Sequence, residues 1–426
     1  MTSRWLTLLW LSARNLTREL RRSALTAAAM AVGLALLVVS RTLSDGAHGD
    51  WIDSGVRLGS GHVLFEAEGY QDSGSLDDRM DGSQVATVLA AVGAEVRGSA
   101  GSTGMLAPLA SVRLSAQGLA SSTQGAVPVL VSGVDPGAEV DFSRLGQDPV
   151  QGRYLEEGDR LHAFVGEKLL ARLGLRLGSR MVLTAQGVSG DIEGQLVRVV
   201  GTYQTGLDEL DEGLVHVPLA TAQSWLGAEE AATSIPVLLA DEVLTEAFVE
   251  EAQAALAGTG IRVVGWRESM PELDAIIRMD DAGDWVFHGI LFAIVALAIL
   301  NAIFMSVLHR KRELGLLRAL GLSGAETGMV VFLEGFLVTA ASGLVGVALG
   351  FALTWLFFRD GLDFSAFMPG DYTFSGVVMD PIIMPVMQTK HVLQSLFFIA
   401  VIGLAASLYP AFLASRLDPS EAVKVE

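Results

Sequence analysis

Four long apolar runs constrain this chain more than any other feature. A helix needs about 20 mainly apolar residues to cross the hydrocarbon core of a bilayer. Four windows meet that length: Ser23–Ser40 (SALTAAAMAVGLALLVVS), Trp285–Leu308 (WVFHGILFAIVALAILNAIFMSVL), a run from about Met329 to Phe358, and Val392–Ala414 (VLQSLFFIAVIGLAASLYPAFLA). A buried helix of a soluble protein can mimic one such window. Four of them in 426 residues, of which 51% are hydrophobic and 47 are Gly, specify a membrane protein. The first run has a basic lead-in (Arg14, Arg18, Arg21, Arg22), as a secretory signal would. That lead-in is long and itself amphipathic, Arg41 follows the run, and no clean small-x-small site comes after it, so the run reads as a retained span.

Orientation follows from Lys and Arg in the short flanks. Segment 1–22, segment 309–328 (Arg310, Lys311, Arg312, Arg318) and the tail (Arg416, Lys424) are basic, and they share a side if all four runs cross. The other side receives the acidic stretch 44–284 and the segment 359–390. Charge and span parity therefore agree, and they put both termini and the 309–328 loop in the cytoplasm. The expected fold is an α-helical membrane protein with four transmembrane helices plus a large mixed α/β periplasmic domain inserted between helices 1 and 2. The boundaries read as an amphipathic lead-in helix at 1–22, spans at 23–43, 285–308, 329–358 and 391–414, the domain at 44–284, a periplasmic loop at 359–390 and a tail at 415–426. The net charge of −19 argues against nucleic-acid binding, and the absence of Cys excludes disulfides and thiolate metal sites.

Ionisable residues deep in a span usually mark an ion or substrate path. Here only His288, near the outer end of the second span, and Glu334, near the inner end of the third, stand out, with Asn301 between them. Glu334 reads as an interfacial carboxylate near the headgroups. There is no pair of broken helices of the kind secondary carriers use. Small residues recur every fourth position on the third span (Ser342, Gly346, Gly350, Thr354) and on the first (Ala27, Ala31, Ala35), which predicts close helix packing within or between subunits.

The outer domain alternates strand-like and helix-like stretches. Gly61–Glu66, Val127–Val134, Arg180–Ala185 and Gln195–Tyr203 are Val-rich and bounded by Gly or Pro, as strands are. Glu167–Gly174 and Thr245–Gly258 have helical spacing with Gly at the stop. Residues 67–83 and 115–126, rich in Gly, Ser and Asp, read as loops, and 267–284 as a helical stalk running into the second span. Chemistry is hard to find. His48, His62, His162 and His216 form no H-E-x-x-H pattern, and there is no G-x-S-x-G elbow. The acid clusters Asp208–Glu212 and Gly69–Asp78 lack calcium-loop spacing and read as solvated loops. With no G-x-x-x-x-G-K-[ST] loop, any ATP involved is bound by another chain. Trp51, Ile52, Val56 and Leu58 are apolar residues between span and domain that either receive an acyl chain or simply pack.

One segment is odd: HRKRELGLLRALGLSG, His309–Gly324. Arg310–Arg312 would suffice to fix topology. On a helical wheel, however, Leu316, Leu317 and Leu320 fall within about 100° of arc, with Lys311 and Arg318 on another face. Gly321 and Gly324 can end such a helix. A short surface helix offering leucines to a partner's groove, steered by basic residues, accounts for both faces.

Several stretches together resemble bacterial ABC transporter permeases of the FtsX/MacB/LolC-LolE type. Ser12–Thr26 is similar to the approach to their first span. Gln151–Leu183 and Val197–Gly227 resemble their periplasmic core domain, Arg310–Val338 their segment joining spans two and three, and Tyr409–Glu426 their C-terminal signature. The pieces occur in order over most of the chain. GSGHVLFEAEGYQD and Gly361–Phe367 lean toward lipoprotein-releasing permeases, whereas the stretch Tyr372–Gln388 is longer than the resemblance implies for the loop before span four. The resemblance implies a non-catalytic permease subunit that dimerises with itself or a paralogue and docks on two cytoplasmic ATPases. It implies that ATP and Mg are bound by those partners and no cofactor by this chain. Arg310, Arg312, Glu313, Leu316, Leu317, Arg318, Leu320 and Gly321 become the implied docking segment. Lipoprotein release is the implied work, against efflux through a periplasmic adaptor or mechanical signalling without transport.

Overall fold

The protein is described here from a computed structural model, which covers residues 10–12, 14, 20–99, 108–147, 149–363, 373–374, 377–378 and 382–417. Most of the lead-in 1–22, the tail 415–426 and much of the loop 359–390 lie outside the described residues. Among those described, four helices are long and apolar enough to cross a membrane, within Ala27–Leu58, Pro271–His309, Gly324–Phe358 and Thr389–Ser415. The chain divides into two compact units, one of helices (1–49, 278–365 and 381–426) and one built around a sheet (50–277 and 366–380).

In the helical unit, small residues set the contacts. The Ala31 and Ala35 stripe of the first helix lies against the Gly346 and Gly350 stripe of the third. A Cβ built on Gly346 would sit 2.8 Å from the Ala31 carbonyl oxygen, and one on Gly350 2.7 Å from the Val38 Cβ. Ser342 and Thr354 on the same stripe are buried, and Ala27 is half-buried at the start of the first helix's stripe. The third and fourth helices meet through a second set that the sequence reading passed over: Gly328 against the Ala411 backbone, Gly335 against Ser407, and Gly403 against Thr339. Hydroxyls inside the spans turn back on their own helix. Thr339, Ser342, Ser395 and Ser407 each donate to the carbonyl four residues earlier, at 2.6 to 2.9 Å, which satisfies them where no water is available.

Two of the spanning helices run far beyond their apolar runs. The first is unbroken over Leu20–Leu58, past the expected end at 43, and the second is unbroken over Pro271–His309. At 1.5 Å per residue each 39-residue helix is about 58 Å long, nearly twice the hydrocarbon core. The expected stalk at 267–284 is corrected at its start: Trp266–Ser269 forms a separate short turn, Met270 (φ −127°, ψ 68°) breaks it, and the long helix begins at Pro271. Proline is suited to that first position because its missing N–H would have no partner there.

The second unit carries an eleven-stranded sheet: β1 (Val63–Ala67), β2 (Leu109–Ala110), β3 (Arg113–Ser121), β4 (Ala126–Val134), β5 (Gln151–Gly152), β6 (His162–Gly166), β7 (Arg180–Gln186), β8 (Ile192–Tyr203), β9 (Leu214–Pro218), β10 (Ser234–Leu238) and β11 (Ile261–Gly265). The path runs β11-β1-β10-β3-β4-β9-β6-β8-β5, with β2 beside β10 and β7 beside both β3 and β8. Most pairs are antiparallel, but β4/β9 and β6/β8 are parallel. One core packs β3, β4, β6, β7, β8 and β9 with Leu169, Leu173, Trp225 and Leu226, and a second packs β1, β10 and β11 with Val88 and Leu256. Residues 115–126, expected as a loop, form most of a hairpin closed by Ser122 N–H donating to the Gly125 carbonyl at 2.8 Å. The inward residues there, Ala116 and Ala120, are buried but small, so the alternation carries little hydrophobic signal. The two expected helices form, as Glu167–Arg172 and Thr245–Ala255, with Gly174 (φ +63°) following the first.

The span contact makes a measurable difference. Gly346→Val forces the first and third helices apart and should destabilise the protein by about 1–3 kcal/mol, the usual cost of overpacking. Gly289→Ala, where an added Cβ meets nothing within 4 Å, should leave the thermal unfolding midpoint in detergent unchanged.

Candidate functional site

The segment between the second and third spanning helices folds as a helical elbow. Arg310 (φ −104°, ψ 17°) interrupts the long helix, a short helix follows over Lys311–Ala319, and Gly321 at φ +107° ends it in a conformation that favours glycine. Ser323 then opens the third helix with a full capping box: its hydroxyl accepts from the Glu326 N–H while the Glu326 carboxylate accepts from the Ser323 N–H. Gly324 is thus the first residue of the next helix, not a stop for the previous one.

The elbow has an inner and an outer face. Leu314 and Gly315 are buried, with Leu317 half-buried beside them, against Val307, Val331, Ala411 and Ala414. Arg310 is 9% exposed and reaches across to the third helix, where Nη1 meets both Glu334 carboxylate oxygens at 2.8 and 3.0 Å while Nε meets Glu313 at 3.1 Å. Glu334, expected as an interfacial carboxylate, is thus paired with Arg310. Arg318 also turns inward and donates to the Leu417 backbone carbonyl. The outward face is left with Arg312, Leu316 (56% exposed) and Leu320 (74% exposed), one helical turn apart, flanked by Lys311, Glu313 and Gly321. Of the eight residues expected to dock a partner, Arg310, Leu317 and Arg318 serve the fold of the elbow. Their side chains are spent on internal contacts, which a wheel drawn for an isolated helix cannot reveal.

A second polar cluster was not anticipated. Arg41 Nη1 lies 3.1 Å from Asp284 and 3.6 Å from Asp281, and its Nε lies 3.3 Å from Asp45. His391 Nδ1 meets Asp45 at 2.6 Å, Ser44 donates to Asp284 at 2.8 Å, and His48 meets Asp280 at 2.7 Å. The available signal was a charge or imidazole at the same end of three apolar runs: Arg41 after the first, Asp284 before the second and His391 before the fourth. Ile52 and Val56, considered as acyl-chain contacts, are instead core residues with Phe142, Leu238, Trp266, Leu273 and Ile277. Trp51 packs against that cluster and Leu58 against the one around Tyr154 and Tyr203, so their apolar surface is already used.

The histidines of the sheet unit also have structural partners. His62 Nδ1 accepts from the Leu239 N–H at 3.1 Å, and His162 meets Asp159 at 2.8 Å. His216 Nδ1 lies 3.0 Å from the Tyr154 hydroxyl, and burial lowers its pKa to about 4. Nearby, Glu139 is fully buried and bound by Arg113 at 2.7 Å and Ser111 at 2.5 Å. Burial pushes its carboxyl up, but the Arg113 charge and these hydrogen bonds outweigh it and hold it below its usual value. Among the described residues no group of three or more His, Cys, Asp or Glu is placed to hold a metal ion.

Comparisons with known proteins bear on both units. A family described as the MacB-like periplasmic core domain matches residues 23–255, and one described as the FtsX-like permease C-terminal matches residues 285–419. The chain is 25% identical over 313 residues to the lipoprotein-releasing system transmembrane protein LolC of Xylella fastidiosa, covering 70% of this chain and 73% of that protein. It is 30% identical over 130 residues to the macrolide export ATP-binding/permease protein MacB of Bdellovibrio bacteriovorus, covering 30% and 17%. The crystal structure of the periplasmic region of MacB from Actinobacillus actinomycetemcomitans aligns with a TM-score of 0.33 at 14% identity, over 51% of this chain and 91% of that one.

Two measurements follow from these sites. Glu334→Gln should lower stability by about 1–3 kcal/mol, less than the roughly 3–5 kcal/mol of a fully buried pair because both groups keep some exposure. The exchanged pair Arg310→Glu with Glu334→Arg should recover part of it in detergent melts. Because the folded His216 pKa (about 4) lies below the unfolded value of 6.5, the unfolded chain binds the extra proton. Stability supplied by the neutral ring is then full above pH 6.5 and is lost as pH falls toward 4, by on the order of 3 kcal/mol. His216→Gln should flatten melting midpoints over that window.

Proposed function

Since the chain belongs to the ABC transporter permeases that join a MacB-like periplasmic core domain to an FtsX-like C-terminal half, we propose that it is the membrane subunit through which a separate cytoplasmic ATPase drives work on the far side of the membrane. The observation that carries this reading is the outward row Arg312, Leu316 and Leu320 on a short helix braced to the third span by Arg310–Glu334. Exposed leucines in a basic setting are what a partner's groove takes, and a braced helix passes a push to the bundle instead of bending. In this reading the 309–328 elbow and both termini face the cytoplasm, the sheet domain is inserted between spans one and two on the periplasmic side, and the membrane is the bacterial inner membrane. ATP and Mg are bound by two copies of the partner ATPase, with no cofactor and no catalytic step in this chain.

The unbroken helix Pro271–His309 is the rod that carries displacement from the elbow to the domain. Its far end is held in the sheet unit by the packing of Leu273 and Ile277 on Trp266 and Phe142. The work we assign to that motion is release of lipoproteins from the inner membrane, supported by the LolC relative that aligns over 70% of the chain. This assignment requires a second permease subunit, identical or paralogous, and a periplasmic carrier. Efflux to a periplasmic adaptor is the second reading, supported by the shorter MacB alignment.

The test is co-expression with a candidate ABC ATPase from the same organism. Leu316→Glu with Leu320→Glu should abolish co-purification and reduce permease-stimulated ATP turnover at least about tenfold, the effect of losing 1.4 kcal/mol or more of docking energy. Unchanged co-purification and turnover would sink the coupling reading. Release of a radiolabelled lipoprotein from membrane vesicles then separates lipoprotein release from efflux.

A further inference from the structure

The polar cluster around Arg41 is not used by the coupling reading, and a pocket opens beside it. The pocket has a volume of about 260 Å³ and lies between the first, second and fourth spanning helices. Three aromatic rings line it: Trp285 and Phe398 meet edge to face at 5.8 Å, and Phe292 and Phe398 lie tilted at 44° with centroids 5.7 Å apart. Its polar lining is Arg41, Asp281, His288, His391, Gln394 and Ser395. His288 is 8% exposed, and its Nε2 is buried without a hydrogen-bond partner.

The charge balance decides what can enter. Arg41 is the cationic residue at this site, and its guanidinium is shared among Asp45, Asp281, Asp284 and His391 Nε2 (3.4 Å). On its other side, toward Thr42, Gln388 and Val392, only about 10 Å³ of space remains. Asp281, 43% exposed, holds only the weakest of these contacts at 3.6 Å and faces the pocket. An anion would meet the Asp281 carboxylate and a guanidinium already shared among four partners. A purely apolar guest would cover the Asp281 carboxylate, which keeps only the 3.6 Å contact to Arg41, and would strip it of water. A positive group with N–H donors pairs with Asp281 and is drawn to the aromatic rings. We propose that this pocket is a binding site for an organic ammonium group. Its volume falls below the roughly 300–1,000 Å³ of sites for drug-sized ligands, so it takes a headgroup-sized cation. Such a group comes either from an amine-bearing phospholipid or from a soluble amine. The site is independent of the elbow and of ATPase docking.

The experiment uses the purified full chain in detergent. Native mass spectrometry measures retention of phosphatidylethanolamine against phosphatidylglycerol, and thermal unfolding measures the response to ethanolamine in solution. The expected result is retention of phosphatidylethanolamine by about fivefold or more, the ratio a single desolvated cation–π and ion-pair contact supplies. It should fall toward equal retention in Asp281→Asn and in Phe398→Leu, each checked for a wild-type melting curve. A midpoint raised by ethanolamine, with no lipid preference but the same loss in both variants, supports the ammonium site and makes the soluble amine its source. Equal retention together with no ethanolamine response, or a preference that survives both substitutions, overturns the proposal.

Discussion

Close approach of helices through small residues is the constraint on which the membrane half depends. Inside a bilayer, leucine gains nothing by leaving lipid for protein, so helices associate where backbones can touch. Gly346 and Gly350 lie on the Ala31–Ala35–Val38 ridge, and Gly328, Gly335 and Gly403 lie on Ala411, Ser407 and Thr339. Two stripes on the third helix thus hold the first and fourth helices. The third helix, which the elbow precedes, is fixed in this way on two sides.

The Arg310–Glu334 pair extends that logic to charge. A carboxylate within an apolar run is expensive unless a cation neutralises it, and a basic residue at the end of the preceding helix is within reach. The pair ties the start of the elbow to the third helix, while Arg318 ties its end to the backbone at Leu417. What remains outward is a narrow surface of Arg312, Leu316 and Leu320. The same economy holds in the sheet unit. There Arg113 binds the buried Glu139 and donates to the Gly59 carbonyl at 2.6 Å, just past the end of the first long helix. Ile52 and Val56 of that helix and Leu273 and Ile277 of the second share one core, so within this unit both helices are held by packing as well as by hydrogen bonds.

Much of this was legible in the chain itself. The four spans, the helices at Glu167 and Thr245 and the Val-rich strands follow from periodicity, because their apolar residues are large and regularly placed. The hairpin at 115–126 was not legible, since its inward side chains Ala116 and Ala120 are small and its outward side mixes Ser115, Gln117 and Ser121 with the exposed Leu119. The break at Met270 was legible in Pro271, because a residue before proline is steered away from the helical region, but the continuous helical spacing on either side hid it. That the first helix runs on past residue 43, the expected end of its span, was not legible because polar residues there mask the spacing of Ile52 and Val56, which become core only beside Trp266 and Phe142.

By itself the sequence determined that the chain is a membrane protein with four spans, an acidic domain of mixed α and β character and a basic, leucine-bearing elbow, because those properties depend on the length, period and charge of continuous segments. Only the tertiary structure decided which face of the elbow is outward, that the two small-residue stripes pack on each other within one chain, and that Arg41, Asp284 and His391 converge beside an aromatic pocket. Those outcomes depend on which residues from distant segments are brought within about 3–4 Å, where hydrogen bonds and ion pairs operate. No local pattern carries that information.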